Sequence, residues 1–193
     1  MVEAHEMHER VHEAGHSNNK GVAILIAVLA AMLAITEMGA KNAATHYTSK
    51  QIEAANLWSF YQAKTIRLTT VRVPAEAFQA LGPESFGDRA AAITQQMRRW
   101  RETGDRYESE PSTGEGRQEL SARARATEDE RDKALSRLHL FEIASAGFQI
   151  AIVLASASVI TGALLLVIGA GGLGLTAFVL SMLGWFAPNL VHL

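Results

Sequence analysis

From Ile143 to Leu193 the chain carries not a single Asp, Glu, Lys or Arg; Arg137 is its last Lys or Arg and Glu142 its last acid. A charge-free stretch of that length is too long for a core helix of a small water-soluble domain, and about 20 apolar helical residues are what the hydrocarbon of a bilayer demands. The last quarter of the chain is therefore read as membrane. Its first run, Ile143 to Ile168, is long enough to cross with room for tilt. Gly169-Ala170-Gly171-Gly172 then predicts a turn over 169–172. Leu173 to Ala187 forms a third run that is stopped by Pro188, with Trp185 and Phe186 at interface level and residues 188–193 as a tail. A re-entrant hairpin competes with full crossing for this short run, and three crossings are preferred on length.

Upstream, Gly21 to Gly39 reads GVAILIAVLAAMLAITEMG, just enough helix to span about 30 Å at 1.5 Å per residue. A cleaved signal peptide is disfavoured, because residues 1–20 are acidic as well as basic and no Ala-x-Ala site follows. The fold class that results is an all-α membrane protein with three transmembrane helices, and a helical bundle or coiled coil lies between the first and second.

That middle domain, residues 40–142, has no alternating strand pattern. Between Lys41 and Val73 there is neither Gly nor Pro, so the first crossing is predicted to run on into water as one helix. Pro74, Gly82 and Pro83 are predicted to end it, and the loop Glu110 to Gly116 opens a descending helix. A middle helix carries Phe86, Ala90, Ile93, Met97, Trp100, Gly104 and Tyr107 at spacings of four and three, and the descending helix carries Leu120, Ala124, Thr127, Arg131, Ala134, Leu138 and Phe141 in the same rhythm.

The segment Asn56-Leu57-Trp58-Ser59-Phe60-Tyr61-Gln62-Ala63-Lys64-Thr65-Ile66-Arg67 resembles the signature of a bacterial membrane-protein family known as domain-of-unknown-function family 4337. The resemblance implies one crossing, a helical middle, two crossings at the end and a bacterial inner-membrane setting. The family has no assigned activity, so the resemblance implies no chemistry.

Among individual residues Lys64 stands out, because on a helix it shares a face with Leu57, Phe60, Tyr61, Leu68 and Val71. Its ammonium is expected to snorkel from a packed helix, with a place over Tyr61 or Phe60, or beside an acid of a neighbouring helix, as the alternative. Trp58, Tyr61 and Lys64 are predicted to be packed by protein. Glu37 falls inside the first crossing, where an ionisable group is a candidate for an ion or proton path; snorkelling and an i+4 pair with Lys41 are the structural alternative. His5, His8, His12 and His16 would share one helical face and could hold Zn, Ni or Cu weakly, with a solvated tail as the preferred reading. Gly147, Ala151, Ala155, Ser158 and Gly162 recur at spacings of four, four, three and four, a face on which another helix can approach closely in lipid. That helix is either the chain's own third crossing or a second copy, and a homo-oligomer is expected to use it.

Cysteine is absent, which excludes disulfides, thiolate catalysis and cysteine metal sites. A net charge of -2 argues against nucleic-acid binding, and Arg98-Arg99-Trp100-Arg101 is followed at once by acids, as on a mixed solvated face. No nucleotide loop, metal-hydrolase motif, nucleophile elbow or paired-acid constellation occurs. The expectation is a membrane protein without enzymatic activity and without cofactor, contacting membrane lipids, further copies of itself and other membrane proteins. A self-associating scaffold or accessory subunit is preferred; a channel or transporter subunit with Glu37 near its mouth is the alternative. Arg123, Arg125, Arg131, Lys133 and Arg137 ahead of the second crossing predict a cytoplasmic middle domain.

Overall fold

The computed structural model describes residues 2–187, with side chains from residue 20 onward. Four α-helices follow one another: α1 (Val2–Leu81), α2 (Ala90–Glu108), α3 (Arg117–Thr161) and α4 (Leu164–Phe186), with a short 3-10 segment, Pro83–Arg89, between the first two. No strand occurs among the described residues. Three of these helices are long and apolar enough to cross a membrane: α1 from Lys20, α3 and α4.

The chain divides into two compact units. The first, residues 1–47 and 132–193, brings α1, α3 and α4 together in layers. Val22 meets Ala155 and Ala170, and Leu29 meets Phe148, Ala151 and Ala177. Beyond them the Thr36 and Ser181 hydroxyls, both buried, share a hydrogen bond of 3.0 Å, and Thr36 also donates to its own Met32 carbonyl. Lipid tails are as apolar as leucine, so these helices gain mainly from dispersion and close approach, which small residues permit. A Cβ on Gly174 would stand 2.5 Å from Leu29 Cδ2, and one on Gly184 would stand 2.9 Å from the Phe141 ring.

The small-residue face read from the sequence is therefore occupied by the chain itself. Ala151 and Ala155 are completely buried, and a Cβ on Gly147 would meet Ala177 of α4 at 3.0 Å. The expectation that this face joins two copies is corrected: α1 and α4 cover it. Gly162 is not part of it. This residue is exposed, adopts φ +67° and donates its N–H to the Ser158 carbonyl at 2.9 Å, the left-handed cap that ends α3.

The turn between the second and third apolar helices lies at Gly162–Ala163, and the predicted turn at 169–172 is corrected to helix within α4. The physical reason is the solvent. Glycine breaks helices in water because freed backbone groups hydrogen-bond to water; in hydrocarbon they have no partner outside the helix, so a glycine run stays helical. The boundaries of 168 and 173 move accordingly, and α4, at 23 residues, has the length to span. Residues 188–193 lie outside the described residues.

The second unit, residues 48–131, packs α1, α2 and the start of α3. Leu57 lies with Leu120 and Ala124, and Leu68 and Val71 close over Gly104 of α2. This unit is narrower than the predicted 40–142, because Ala43, Ala134 and Phe141 group with Gly184 and Trp185 in the first. Nor does Pro74 end α1, which continues to Leu81. Proline removes one backbone bond, but Thr70, whose carbonyl loses its partner, is exposed and open to water. Past the proline, buried Ala75 and the stacking of Phe78 on Trp100 at 6.0 Å hold the last turns.

The relocated turn has a direct test. Gly162→Ala should destabilise the solubilised protein by about 1–2 kcal/mol in thermal unfolding, since alanine disfavours the left-handed region. Gly172→Ala should be neutral or stabilise by up to about 1 kcal/mol, as a helical site would. The reverse ranking would return the turn to 169–172.

Candidate functional site

The residues of the Trp58 to Lys64 signature occupy consecutive turns of α1 in the second unit, and each reaches a different neighbour. Trp58 Nε1 donates to Glu128 Oε1 of α3 at 3.0 Å, and its ring meets the Tyr61 ring edge-on at 5.5 Å. Arg117, the first residue of α3, donates through Nη2 to the Tyr61 hydroxyl at 2.9 Å while its guanidinium lies 5.0 Å from that ring's centre. The same guanidinium pairs through Nη1 with Glu108 at the end of α2, at 2.8 Å. Tyr61 and Glu108, the two groups it binds, hold Arg117 above its ordinary pKa, the tyrosine hydrogen bond contributing most. One side chain thus fastens three helices.

Lys64 does not snorkel into water but takes the alternative place beside an acid. It is only 7% exposed, its Nζ stands 3.6 Å from Glu115 Oε2, and it lies 5.5 Å from the centre of the Tyr107 ring. The ring is that of Tyr107, on α2, and not Tyr61 or Phe60 on its own helix. A cation so placed gains on the order of 1 kcal/mol from a ring.

The loop from Ser109 to Gly116 is pinned by Glu119. Ser109 Oγ donates to its Oε1 at 2.6 Å, and the Glu110 backbone N–H donates to its Oε2 at 3.2 Å. The serine bond, and then backbone donors, hold the Glu119 carboxyl below its ordinary value of 4.5. Glu110 is likewise lowered, chiefly by its bond to Arg106 and also by Thr113. Beside this loop an open groove of about 510 Å³ is lined by Ile52, Asn56, Phe60, Glu115 and Arg123, among others. Its lining mixes apolar, hydroxyl and charged groups.

In the first unit Glu37 is exposed on α1, one residue from the buried Thr36. A second groove, of about 190 Å³, lies between Asn42 and His46 of α1, Arg137 of α3 and Trp185 of α4. His5, His8, His12 and His16 lie outside the described side chains. The participation of Glu108, Glu115, Arg117, Glu119 and Glu128 was not legible in the sequence, since charged residues crowd that region and nothing local selects these five.

Together, a layered set of three apolar helices and a helical unit fastened by its own signature define an all-α membrane protein with an extramembrane bundle. Residues 18–187 match the family described as Domain of unknown function (DUF4337), and the chain belongs to that family. No curated protein and no solved structure matches it.

Two outcomes follow from this geometry. Tyr61→Phe, which removes the acceptor for Arg117, should lower unfolding stability by about 1–2 kcal/mol, whereas Lys64→Met, which keeps the stem and deletes a buried charge, should change it by less than about 1 kcal/mol; a Lys64→Met protein that fails to fold would show the charge itself to be required. The lowered carboxyls of Glu110 and Glu119 contribute stability that is present above the ordinary carboxylate pKa and is lost as pH falls through their depressed values. Protection factors for hydrogen exchange in residues 109–119, each taken against the intrinsic rate at the same pH, should therefore hold down to pH 4.5 and fall only below it. In Glu119→Gln the loop should exchange faster already at neutral pH. A loss of protection in the unaltered protein's loop already well above pH 4.5 would contradict the depressed values.

Proposed function

We propose that this protein is a non-catalytic membrane scaffold: its apolar helices anchor it in a bacterial inner membrane, and its bundle, on the cytoplasmic side, spaces or recruits membrane components through self-association. The observation that carries this reading is the use made of the signature. Trp58 and Tyr61 direct their polar atoms to Glu128 and Arg117 of α3, contacts between helices, and Lys64 pairs with Glu115 of the loop ahead of α3, at the edge of the open groove. Side chains bound in this way stiffen a bundle, and stiffness is what a spacer needs. The basic residues near the end of α3's aqueous stretch, Arg131, Lys133 and Arg137 among them, support the cytoplasmic placement.

Because Gly147, Ala151 and Ala155 are covered within the chain, association in this reading uses outward faces. The mass of the particle extracted in detergent, with bound detergent subtracted, is expected to be a multiple of the 20.9 kDa chain. A particle of one chain mass would overturn the self-association. The exposure of Glu37 on α1 keeps a second reading distinct: cation flux through reconstituted vesicles that Glu37→Gln abolishes would replace the scaffold by a channel subunit.

A further inference from the structure

We propose that a second copy of this chain packs along the outward face of α1 in the bundle unit, parallel to the first and in register with it. The inference rests on the self-association just proposed and names the surface and the partner.

The inward face of α1 already obeys a seven-residue repeat, with Leu57, Tyr61, Lys64 and Leu68 turned to α2 and α3. A helix that keeps such a seam against its neighbours is wound at 3.5 residues per turn, so every other heptad position also forms a straight row along it. One such row begins at Ile52 and steps through Asn56, Ser59, Ala63, Ile66 and Thr70, continuing at the same spacing to Ala80. Every residue in it is exposed and none is charged. Over the same stretch α1 carries Glu53, Lys64, Arg67, Arg72 and Glu76, all of them off the row. Ile52 is 57% exposed, Ile66 67% and Val73 56%. Single exposed apolar residues need no explanation, but Ile52, Ile66 and Val73 recur on one row with small or uncharged residues between them, over about 40 Å of helix on which a second helix meets no charge.

Charge identifies the occupant. When two identical helices lie parallel and in register, each seam residue meets its own copy, and any ionised group there would face a like charge. A row emptied of charge meets that requirement from Ser59 to Ala80, while at its start Ile52 and Asn56 border the groove that Glu115 and Arg123 also line. The flanking positions meet it too, since in a parallel pair Gln62 of one copy lies by Arg67 of the other and Ala55 by Phe60, with no like-charge contact. The small residues Ala63 and Ala77 allow close approach, and Asn56, at a seam position, disfavours shifted registers in which it would face an apolar partner. Copies inserted through the same three apolar helices also share one direction in the bilayer, which makes parallel pairing the accessible one.

Because the chain has no cysteine, single cysteines report this contact without background. In native membranes under mild oxidation, Ser59→Cys, Ile66→Cys and Val73→Cys should each give a disulfide-linked dimer. Arg72→Cys and Arg125→Cys, also exposed but off the row, should give at least tenfold less. Ile66→Asp should reduce the particle mass while leaving its helical content unchanged. Absence of the three crosslinks from a particle that still has multi-chain mass would overturn this face and leave the scaffold reading standing; a single-chain mass would remove both. Equal crosslinking at Arg72, or crosslinking of Ile66→Cys to a different protein in place of itself, would also overturn the proposal.

Discussion

Leu29 can lie against α4 only because position 174 has no side chain, and the layered packing of the first unit turns on contacts of this kind. In water a leucine would be driven inward by hydrophobicity alone. In hydrocarbon that drive is absent, and helices adhere where their surfaces fit closely enough to exchange lipid contacts for better ones. Ala151, Ala155, Ala170 and Ala177 lie in the buried layers, almost wholly covered, and Gly174 and Gly184 take the side chains of Leu29 and Phe141. The buried bond between Thr36 and Ser181 adds a polar contact that fixes which faces meet.

The second unit is held by different physics. Its core is thin, with Leu57, Leu120 and Ala124 as the buried cluster, and much of its definition comes from bonds that cross between helices. Arg117 is the centre of these, bound at once to Tyr61 and Glu108. A guanidinium suits the task because its planar fork donates in several fixed directions, which a lysine could not reproduce. The result ties the end of α2 and the start of α3 to the middle of α1.

Much of the architecture was legible in the sequence. The charge-free last quarter announced membrane helices, and the run from Lys41 to Val73 announced an unbroken α1, because both inferences depend on properties of single segments. Lys64 was also legible as a packed cation, since its neighbours at three and four residues are apolar. The turn after α3 was misplaced for a specific reason: the rule that glycine clusters make turns was learned from chains in water, and Gly169 to Gly172 lie in α4, whose backbone bonds have no solvent to compete with them. Pro74 fails to end α1 for a related reason, because the packing of Phe78 on Trp100, distant in sequence, outweighs one lost backbone bond.

By itself, then, the sequence determined the class of structure: helices throughout, three apolar segments and a charged helical stretch between the first and the second. Those properties follow from hydrophobicity and periodicity, which are written locally. Which surfaces are spent inside the molecule was decided only by tertiary structure. The row of Gly147, Ala151 and Ala155 reads the same whether it meets α4 or another chain, and only the geometry of a two-residue turn at Gly162 brings α4 back onto it. Likewise Glu108, Glu115 and Glu128 are ordinary acids in a charged region until folding places Arg117, Lys64 and Trp58 beside them, because a pair joined only across a loop or between helices has no signature in either of its members.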